Sequence, residues 1–381
     1  MKRLDVVQNI PSPYRLHLFR ELYRQLQAKG VEFHVHFMSD MSRGHEERPQ
    51  SWHNPKIDFP HTYWKDYGYR FHHFNPGLIW YLLCHKVDRL LVGCVFDTFT
   101  GIATATLVRA KLKCGWTEGN TKTTGRMTGF VGWFKRFILA RFQKIAVPGA
   151  EGARYVELHQ SYTRLKMPSP VLLPNLIDET RFRPRSAFDQ REIDALRSAL
   201  GCTRGVKLCL IPARLEWYKG LIEFVKALPT DLLADWKILI MGSGTLKQDI
   251  EAVIEASELR DVILIKELIP YDEMPRYYAA ADLFLLPSLM DRNPLSVVEA
   301  LHAGLPVAVS SCAGNVDEAV ADHENGWVLD VKNETVFARQ LREVFSCRED
   351  QLRTMGAVSL RVQSQFWNSK RAIAAFVAAI Q

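Results

Sequence analysis

The sequence predicts an α/β protein of two domains, each built on a parallel sheet with helices on both faces. Short apolar runs typical of strands alternate with amphipathic segments typical of helices, and this alternation favours parallel sheets. The chain has 381 residues, 47% of them hydrophobic, which is enough for two ordinary cores. A turn-rich segment, residues 174–184, lies between two stretches of opposite net charge, so we place the boundary there.

The first predicted domain covers residues 1–180. It opens with the strand LDVVQNI, a proline-rich loop at residues 11–14 and a helix that ends at Gly30. Further strands are predicted at VEFHVHFM, RLLVGCVF and KLKCGWTEG, with a helix at TGIATATLVRA. Residues 39–69 are polar, aromatic and irregular, which predicts loops that carry short elements.

The second predicted domain covers residues 181–362 and repeats the alternation from VKLCLIPA to DLFLLPS. Residues 287–311 continue it with a strand end, a polar loop, a short helix, a turn and a second strand. Residues 363–381 predict a final helix with one apolar face. Both halves therefore predict Rossmann-like domains. Because ligands of such domains bind beyond the carboxyl ends of the strands, we expect a site in a cleft between the two.

Positive charge is concentrated in the first half of the chain. Residues 1–185 hold 28 Lys and Arg against 15 Asp and Glu, whereas residues 186–381 hold 21 against 27. This asymmetry predicts that the first half faces an anionic partner, namely a membrane surface, a lipid phosphate or a nucleic acid. A basic surface kept for solubility is the alternative interpretation.

The sequence also indicates a compartment. No apolar run approaches the roughly eighteen residues needed to cross a bilayer. The basic start of the chain is interrupted at Asp5 and Pro11 before a signal-peptide core could form. The seven cysteines contain no C-x-x-C pair, which predicts reduced thiols in a cytoplasmic protein. The histidines lack metal-ligand spacing, so we expect no metal site.

Two acids flank a predicted helix start in the segment PSLMDRNPLSVVEALHAGLPV. Asp291 and Glu299 lie eight positions apart, and between them Asn293 is a favourable N-cap with Pro294 at the first helical position. A helix start at the carboxyl end of a strand binds anions, since its unpaired N–H groups point outward. The combination suits a ligand with phosphate and sugar hydroxyls. As alternatives, Asp291 is a solvated loop carboxylate and Glu299 a helix-surface residue.

Two cations follow a predicted strand in the segment IPARLEWYKG. At the carboxyl edge of a sheet, Arg214 and Lys219 would neutralise a diphosphate. The alternative is a solvated loop in which Lys219 pairs with Glu216. Gly242 belongs to the segment GSG after the next strand, which lacks the third glycine of a dinucleotide fingerprint, so we interpret it as a tight turn near the ligand. This incomplete fingerprint also disfavours an NAD-dependent dehydrogenase.

Other segments allow a functional and a structural interpretation. Glu118 ends a predicted strand and would point into the cleft, or would pair with Lys122 or Arg126. Gly314 begins a segment that resembles a backbone nest able to hold a sugar. The segment FVGWFKRFI, residues 130–138, has helical aromatic spacing with interleaved cations. It would lie on an anionic membrane, or would pack its aromatic face against the sheet, and we favour the packing.

These motifs together resemble the family 4 glycosyltransferases, which have the GT-B fold of two Rossmann-like domains facing across a cleft and retain anomeric configuration. The segment PNLIDETRFRP resembles the family's P-N-G-V-D-x-x-x-F-x-P linker. ARLEWYKG resembles its G-R-L-x-x-x-K-G phosphate motif, and the segment from Asp291 to Glu299 resembles its E-x7-E motif. The motifs agree in order and spacing over most of the second half, and the final helix resembles the one that crosses back to the first domain.

The resemblance implies roles for the acids and cations. Arg214 and Lys219 hold the donor diphosphate and stabilise charge as it leaves. Asp291 binds hydroxyls of the donor sugar, although the family's usual residue there is Glu, one methylene longer. Glu299 binds the ribose hydroxyls.

The resemblance also implies roles for backbone groups and for the first domain. The helix start and the neighbouring turns contact the donor, with backbone near Leu268 meeting the base; the donor-binding positions are Asn293, Pro294, Leu295, Leu268, Gly242, Pro11 and Ser12. The last two occupy a loop that is glycine-rich in many relatives. Glu118 occupies a position where many relatives carry a histidine, and we include it among the catalytic residues.

The implied function is transfer of a sugar from a UDP- or GDP-sugar to a glycan or lipid-linked acceptor in bacterial cell-surface polysaccharide or lipopolysaccharide synthesis. The nucleotide-sugar is a substrate, and no cofactor, metal or nucleic acid is expected. The protein would be cytoplasmic, with peripheral contact to the anionic inner face of the cell membrane. The alternatives are a GT-B-like sugar-nucleotide epimerase, recognised by isomerisation without an acceptor, and a non-catalytic protein that binds anionic surfaces.

Overall fold

The structure of the protein is a computed structural model that describes residues 1–40, 56–69, 72–123, 128–267 and 269–381. It divides into two compact units, one formed by residues 1–177 with 368–381 and the other by residues 178–367. The sequence prediction places these divisions at 180/181 and 362/363.

The first unit contains a seven-stranded parallel sheet in the order β3-β2-β1-β4-β5-β6-β7. Its elements in chain order are β1 Arg3–Gln8, α1 Pro13–Gln27, β2 Glu32–Phe37, β3 His61–Tyr63, α2 Pro76–Cys84, β4 Val87–Val92, α3 Phe99–Leu107, β5 Ala110–Trp116, α4 Gly129–Leu139, β6 Lys144–Val147, α5 Ala150–Ser161 and β7 Ser169–Leu172, with the later helix α14 Ser369–Ala379.

The second unit contains a six-stranded parallel sheet in the order β10-β9-β8-β11-β12-β13. Its elements are α6 Gln190–Ala199, β8 Lys207–Pro212, α7 Leu221–Ala227, β9 Trp236–Met241, α8 Lys247–Ala256, β10 Ile263–Lys266, α9 Met274–Ala280, β11 Leu283–Leu286, α10 Leu295–His302, β12 Val307–Ser310, α11 Val316–Ala319, β13 Gly326–Leu329, α12 Glu334–Phe345 and α13 Glu349–Phe366.

Both sheets have the strand order of a doubly wound Rossmann-like domain. In each sheet the first three strands lie side by side in chain order, and the fourth strand pairs with the free side of the first. The central strands are buried along their whole length because helices cover both faces, as residues 283–286 and 307–310 show. The reversal places a crevice at the carboxyl ends of β8 and β11 in the second sheet, the usual ligand position in such folds.

Helix α10 begins one residue later than the sequence predicts. Pro294, expected at the first helical position, has an extended ψ of 116° and occupies the N-cap position, so the helix begins at Leu295. Asn293 is therefore not the N-cap, and no side chain caps this helix. The predicted final helix is likewise divided: α13 continues to Phe366, and Asn368 then caps α14 by accepting a hydrogen bond from the Arg371 amide.

Helix α14 packs against α1 in the first unit. Gln25 donates from its side chain to the Lys370 carbonyl at 3.0 Å. The Arg89 guanidinium donates to the carbonyl of Ile380 at 3.0 Å and to that of Gln381 at 2.5 Å. Residues 368–381 thus complete a core formed mainly by the first 177 residues.

All seven cysteines are free thiols in the structure. Across the described ranges, no helix is both long enough and apolar enough to cross a membrane.

Candidate functional site

Lys219 and Asp291 form an ion pair at the carboxyl ends of two adjacent strands. Lys219 follows β8 and Asp291 follows β11, and the lysine Nζ donates to the aspartate Oδ2 at 2.5 Å. The side chains are 14% and 13% exposed, so both charges are largely shielded yet still reach solvent. Neither sequence alternative holds, because Lys219 pairs with Asp291 rather than Glu216, and Asp291 is not a solvated carboxylate. Glu216 instead accepts hydrogen bonds from the amide and hydroxyl of Thr245.

Gly220 explains why the lysine reaches the acid. Its φ is +65°, in the left-handed region that favours glycine. A Cβ at this position would lie 2.2 Å from the carbonyl oxygen of Pro287, so a larger residue would force the two loops apart. The same two loops are joined by a hydrogen bond from the Met290 amide to the Tyr218 carbonyl at 3.1 Å.

The acidic loop is braced from the other side by the loop that follows β12. The amide of Gly314 donates to the carbonyl of Asp291 at 3.0 Å. The Asn315 side chain donates to the carbonyl of Pro294 at 2.9 Å and is almost fully buried. The predicted nest is therefore a brace, because the Gly314 N–H that we expected to hold a sugar is already donated within the protein.

Arg214 lies on the same loop as Lys219 and is exposed. The loop that carries Arg214 closely approaches the turn after β9. A Cβ on Gly242, in that turn, would lie 2.0 Å from the Ala213 carbonyl oxygen. The backbone of Leu215 also bonds to Ser243 at 3.0 Å. Gly242 therefore acts by letting two loops approach at the sheet edge, and it lies directly beside the Arg214 backbone.

The first turn of α10 supplies backbone donors near the ion pair. Pro294 and Leu295 follow Asp291 by three and four residues, and the N–H groups of a first helical turn have no acceptor within the helix. The brace at the Pro294 carbonyl fixes the direction of this turn. An anion placed beyond the end of β11 would meet these amides together with the Lys219 ammonium.

Glu299 lies on α10 and is buried rather than on the helix surface. It accepts a hydrogen bond from the Tyr278 hydroxyl at 2.6 Å and another from the Tyr271 hydroxyl. Burial raises the pKa of the Glu299 carboxyl from 4.5 to about 7, and the two hydroxyls oppose this rise by stabilising the carboxylate. The pKa values of both tyrosines are raised, chiefly by burial and then by the nearby carboxylate.

Glu118 belongs to a separate polar cluster in the first unit. Its carboxylate accepts from the Arg15 guanidinium at 2.7 Å and from the Asn175 amide at 3.1 Å, so the predicted partner Lys122 is not the one it uses. Arg126, the other predicted partner, lies outside the described residues. The Arg15 guanidinium stacks over the Trp116 ring, 3.7 Å from its centre, and its buried Nε makes no hydrogen bond within the described structure.

Pro11 and Ser12 are buried in the loop between β1 and α1, at the same sheet edge as this cluster. The Ser12 side chain hydrogen-bonds to Tyr14, whose phenol pKa is raised chiefly by burial. Both residues therefore shape the loop that leads into Arg15. Leu268, the residue expected near the nucleotide base, lies outside the described residues.

Several residues of these clusters carry no sequence signal. Tyr271 and Tyr278 precede β11 in a segment that reads as an ordinary amphipathic helix, so their contact with Glu299 is visible only in three dimensions. Arg15 and Asn175 are 160 positions apart and meet at 3.1 Å. Asn175 lies in the linker motif just after β7, and that motif is the one hint that it could face a ligand.

The protein also contains a cavity at the opposite edge of the second sheet. It has a volume of about 520 Å³ and is lined by residues at the starts of β8 and β11, including Arg185, Arg197 and Asp282. Both arginines are already bound to Asp282 and to the last carbonyls of α9, so the charges serve as a structural clamp. In the part of the chain that the structure describes, no three metal-ligating side chains converge.

Comparison with known proteins identifies the second unit. Residues 192–357 match the family model described as Glycosyl transferases group 1, and this range contains Arg214, Lys219, Asp291 and Glu299. The second unit is a group 1 glycosyltransferase domain. The order of its motifs along β8, β11 and α10 is the order that the sequence resemblance predicts.

Curated relatives match the same glycosyltransferase region. An uncharacterized glycosyltransferase of Haemophilus influenzae is 30% identical over 132 residues, 33% of this chain and 36% of that protein. An Escherichia coli UDP-Gal:alpha-D-GlcNAc-diphosphoundecaprenol alpha-1,3-galactosyltransferase is 27% identical over 180 residues, 45% of this chain and 44% of that protein. The matches thus span about a third to a half of the length of these relatives.

Solved glycosyltransferases match the fold over the whole chain. HepE of Anabaena, crystallised with UDP and glucose, aligns with a TM-score of 0.72 at 14% identity and covers all of both chains. At this identity the similarity shows the fold alone, and that fold is GT-B, with two Rossmann-like domains as predicted.

Proposed function

We propose that the protein is a retaining glycosyltransferase that moves a sugar from a nucleotide-sugar, a UDP- or GDP-sugar, to a glycan or lipid-linked acceptor. The observation that carries this proposal is the shielded pair of Lys219 and Asp291 at the strand reversal of a group 1 glycosyltransferase domain. The names of the Escherichia coli galactosyltransferase and of the HepE complex support a UDP-sugar and a lipid-linked acceptor. They also favour a role in bacterial cell-surface polysaccharide or lipopolysaccharide synthesis.

The ion pair suggests how donor binding would begin. A diphosphate carries more charge than one carboxylate, so it would attract Lys219 away from Asp291 and hold it together with Arg214. The released Asp291 carboxylate would then accept hydrogen bonds from hydroxyls of the donor sugar. The Leu295 N–H, in the first turn of α10, lies where it would meet the phosphates. The Pro294 nitrogen has no hydrogen and cannot donate.

The chemical step follows from this placement. The bond between the anomeric carbon and the diphosphate oxygen breaks, and the nucleoside diphosphate leaves with the electron pair. The acceptor hydroxyl forms the new bond on the same face, and its proton passes to the leaving phosphate. Lys219, Arg214 and the first turn of α10 stabilise the negative charge that develops, which is a large contribution in a shielded site. We propose that these groups act without a metal.

Glu299 is assigned to the ribose of the nucleotide. A carboxylate fixed by two tyrosine hydroxyls has a defined direction and retains further lone pairs, and ribose hydroxyls could complete its hydrogen bonds. Ribose hydroxyls donate to the ionised carboxylate, so donor binding should weaken as the pH falls through the raised pKa of Glu299.

The first unit is assigned to the acceptor. Glu118, held by Arg15 and Asn175, lies at the carboxyl edge of the first sheet, and Pro11 and Ser12 shape the adjoining loop. A lipid-linked acceptor also implies that the protein works in the cytoplasm at the inner face of the cell membrane, with peripheral contact to anionic lipid.

The proposal is tested by measuring nucleotide release from a panel of UDP-, GDP- and ADP-sugars with the purified protein. The anomeric configuration of the product is then read by NMR. Lys219→Ala should lower kcat/KM by about 10²–10³-fold, in the range for loss of one charge-stabilising group. Lys247→Ala, which changes an exposed lysine at the start of α8, is the matched control.

Four results would contradict the proposal. Full activity in Lys219→Ala would contradict the proposed mechanism, and the absence of turnover with every donor would contradict the proposed activity. Isomerisation of a UDP-sugar without an acceptor would assign the epimerase alternative. Activity that disappears with EDTA and returns with a divalent cation would show that the cations of the site are insufficient on their own.

A further inference from the structure

The exposed hydrophobic side chains are unevenly distributed between the two units. Of the sixteen large hydrophobic residues that are exposed in the described ranges, fourteen belong to the first unit. The second unit exposes Trp217 and Leu264. Exposed apolar residues scattered singly are ordinary, but a concentration on one unit indicates a surface that is covered in use.

Helix α4 contributes the most exposed part of this surface. Phe130 and Trp133 are 75% and 52% exposed, and their rings lie 5.8 Å apart. Ile138 and Leu139, on the other side of the helix, are completely buried in the core. Phe134 and Phe137 pack partly against the same core, as the interpretation favoured from the sequence expects, whereas Phe130 and Trp133 at the start of the helix remain exposed.

Neighbouring segments extend this surface along the carboxyl edge of the first sheet. Helices α3 and α4 are in contact, and both begin at this edge because each follows a parallel strand. Phe99, at the start of α3, is 60% exposed, and its ring lies 6.1 Å from that of His72. We define the aromatic rim as the six exposed residues Tyr67, Tyr69, Phe74, Phe99, Phe130 and Trp133.

The charge around the rim is positive. Residues 128–150, which contain α4, include four Lys and Arg and no Asp or Glu. The ammonium of Lys65 lies 5.0 Å from the centre of the Tyr67 ring. The whole first unit, residues 1–177 and 368–381, holds 27 Lys and Arg against 13 Asp and Glu, a net charge of +14. Two copies meeting through this surface would repel each other, so charge complementarity favours an anionic partner.

We propose that the aromatic rim docks on a bilayer that contains anionic phospholipid. Trp, Tyr and Phe side chains are suited to the interface between headgroups and acyl chains, and nearby cations attract the lipid phosphates. This inference rests on the proposed function in one respect. The rim and Glu118 share the carboxyl edge of the first sheet, so docking would bring a lipid-linked acceptor to the edge where we place its binding.

The test is sedimentation of the purified full chain with vesicles of phosphatidylcholine, with and without phosphatidylglycerol. We expect binding to the anionic vesicles, weakened by added salt because the attraction is screened. Phe130→Ser/Trp133→Ser should weaken binding at least about tenfold, since two large side chains no longer enter the interface. The conservative Trp133→Phe should bind like the wild type, and Trp217→Ser, at the exposed tryptophan of the second unit, is the matched control.

Circular dichroism establishes that each variant is folded before binding is compared. Absent binding to anionic vesicles, or unchanged binding by the double variant, would overturn the proposal. So would a dimer in solution that the double variant dissociates, because a second copy would then cover the rim. Donor turnover is measured separately: vesicle binding without turnover contradicts the proposed function, and turnover without vesicle binding contradicts the docking surface.

Discussion

Lys219 and Asp291, 72 positions apart, meet at 2.5 Å across the strand reversal of the second sheet. The pair links the loop after β8 to the loop after β11 through side chains that are mostly shielded from solvent. In the protein without substrate each charge is therefore the counter-ion of the other. Neither charge is left uncompensated, and under the proposed function donor binding would exchange these partners.

The first prediction concerns the strength of this pair. A double-mutant cycle with Lys219→Met and Asp291→Asn should give a coupling energy of about 1–3 kcal/mol in urea unfolding, because both groups are mostly buried. The pair Arg342–Asp231 is a control with two exposed partners and should give a smaller coupling. Equal coupling in the two cycles would show that shielding contributes nothing at the site.

The second prediction concerns Gly220. Gly220→Ala should destabilise the protein by about 1–3 kcal/mol and reduce donor turnover, because the added Cβ strains a left-handed residue and strikes the Pro287 carbonyl. Gly205→Ala is the matched control, since φ there is +87° but no atom lies within 4 Å of the added Cβ. It should cost about 1 kcal/mol and leave turnover unchanged. Similar turnover in both variants would contradict the positioning role of Gly220.

The third prediction concerns pH. The pKa of Glu299 is raised to about 7 in the folded protein from its ordinary 4.5, so folding favours the protonated form. Its contribution to stability is complete below about pH 4.5 and is lost as the pH rises through 7. The free energy of unfolding should fall across this window by about 3 kcal/mol more in the wild type than in Glu299→Gln.

Urea titrations at a series of pH values measure this difference. Glu267→Gln, at a side chain 80% exposed, is the control and should follow the wild type. Tyr278→Phe removes a hydroxyl that stabilises the Glu299 carboxylate, so it should raise the pKa further and move the loss of stability to higher pH. A shift to lower pH in Tyr278→Phe would contradict the assignment of this hydrogen bond.

The fourth prediction concerns the acceptor cluster. Arg15→Lys should lower kcat/KM for the acceptor, because a lysine cannot both stack on Trp116 and bond to Glu118 and Asn175. The effect should appear in the KM for the acceptor while the KM for the donor stays unchanged. Arg20→Lys alters an arginine of the same helix that pairs with Asp58, and should leave both constants unchanged. A changed KM for the donor in Arg15→Lys would contradict the assignment of this cluster to acceptor binding.

The sequence was sufficient for the fold and for the linear motifs of the second unit. Alternating strands and helices are local patterns, and the ligand positions follow from the strand order once a parallel sheet is assumed. The cations after β8 and the acids around α10 could be recognised because each lies in a short segment of fixed spacing. The contact between Lys219 and Asp291 could not be recognised in this way, because the sequence equally allowed Lys219 to pair with Glu216, three positions away.

The remaining features depend on contacts between distant segments. The surroundings of Glu299 are set by tyrosines from a different helix, and the partner of Glu118 comes from α1. The aromatic spacing of α4 predicted the packing of Phe134 and Phe137 but not the exposure of Phe130 and Trp133, because a hydrophobic pattern alone does not say where the inward face ends. The start of α10 was misplaced by one residue because Pro294 suits both the N-cap and the first helical position.

The contact of α14 with α1 has a consequence for how the chain is synthesised. Residues 368–381 leave the ribosome after the whole second domain, yet their apolar side chains Ile373, Phe376 and Val377 are buried in the first unit. The first domain therefore remains incompletely packed while about 190 further residues are translated, an interval of roughly 10–40 s at ordinary translation rates. The second domain, continuous from residue 178 to 367, can fold first. The order of domain completion is thus the reverse of their order in the gene.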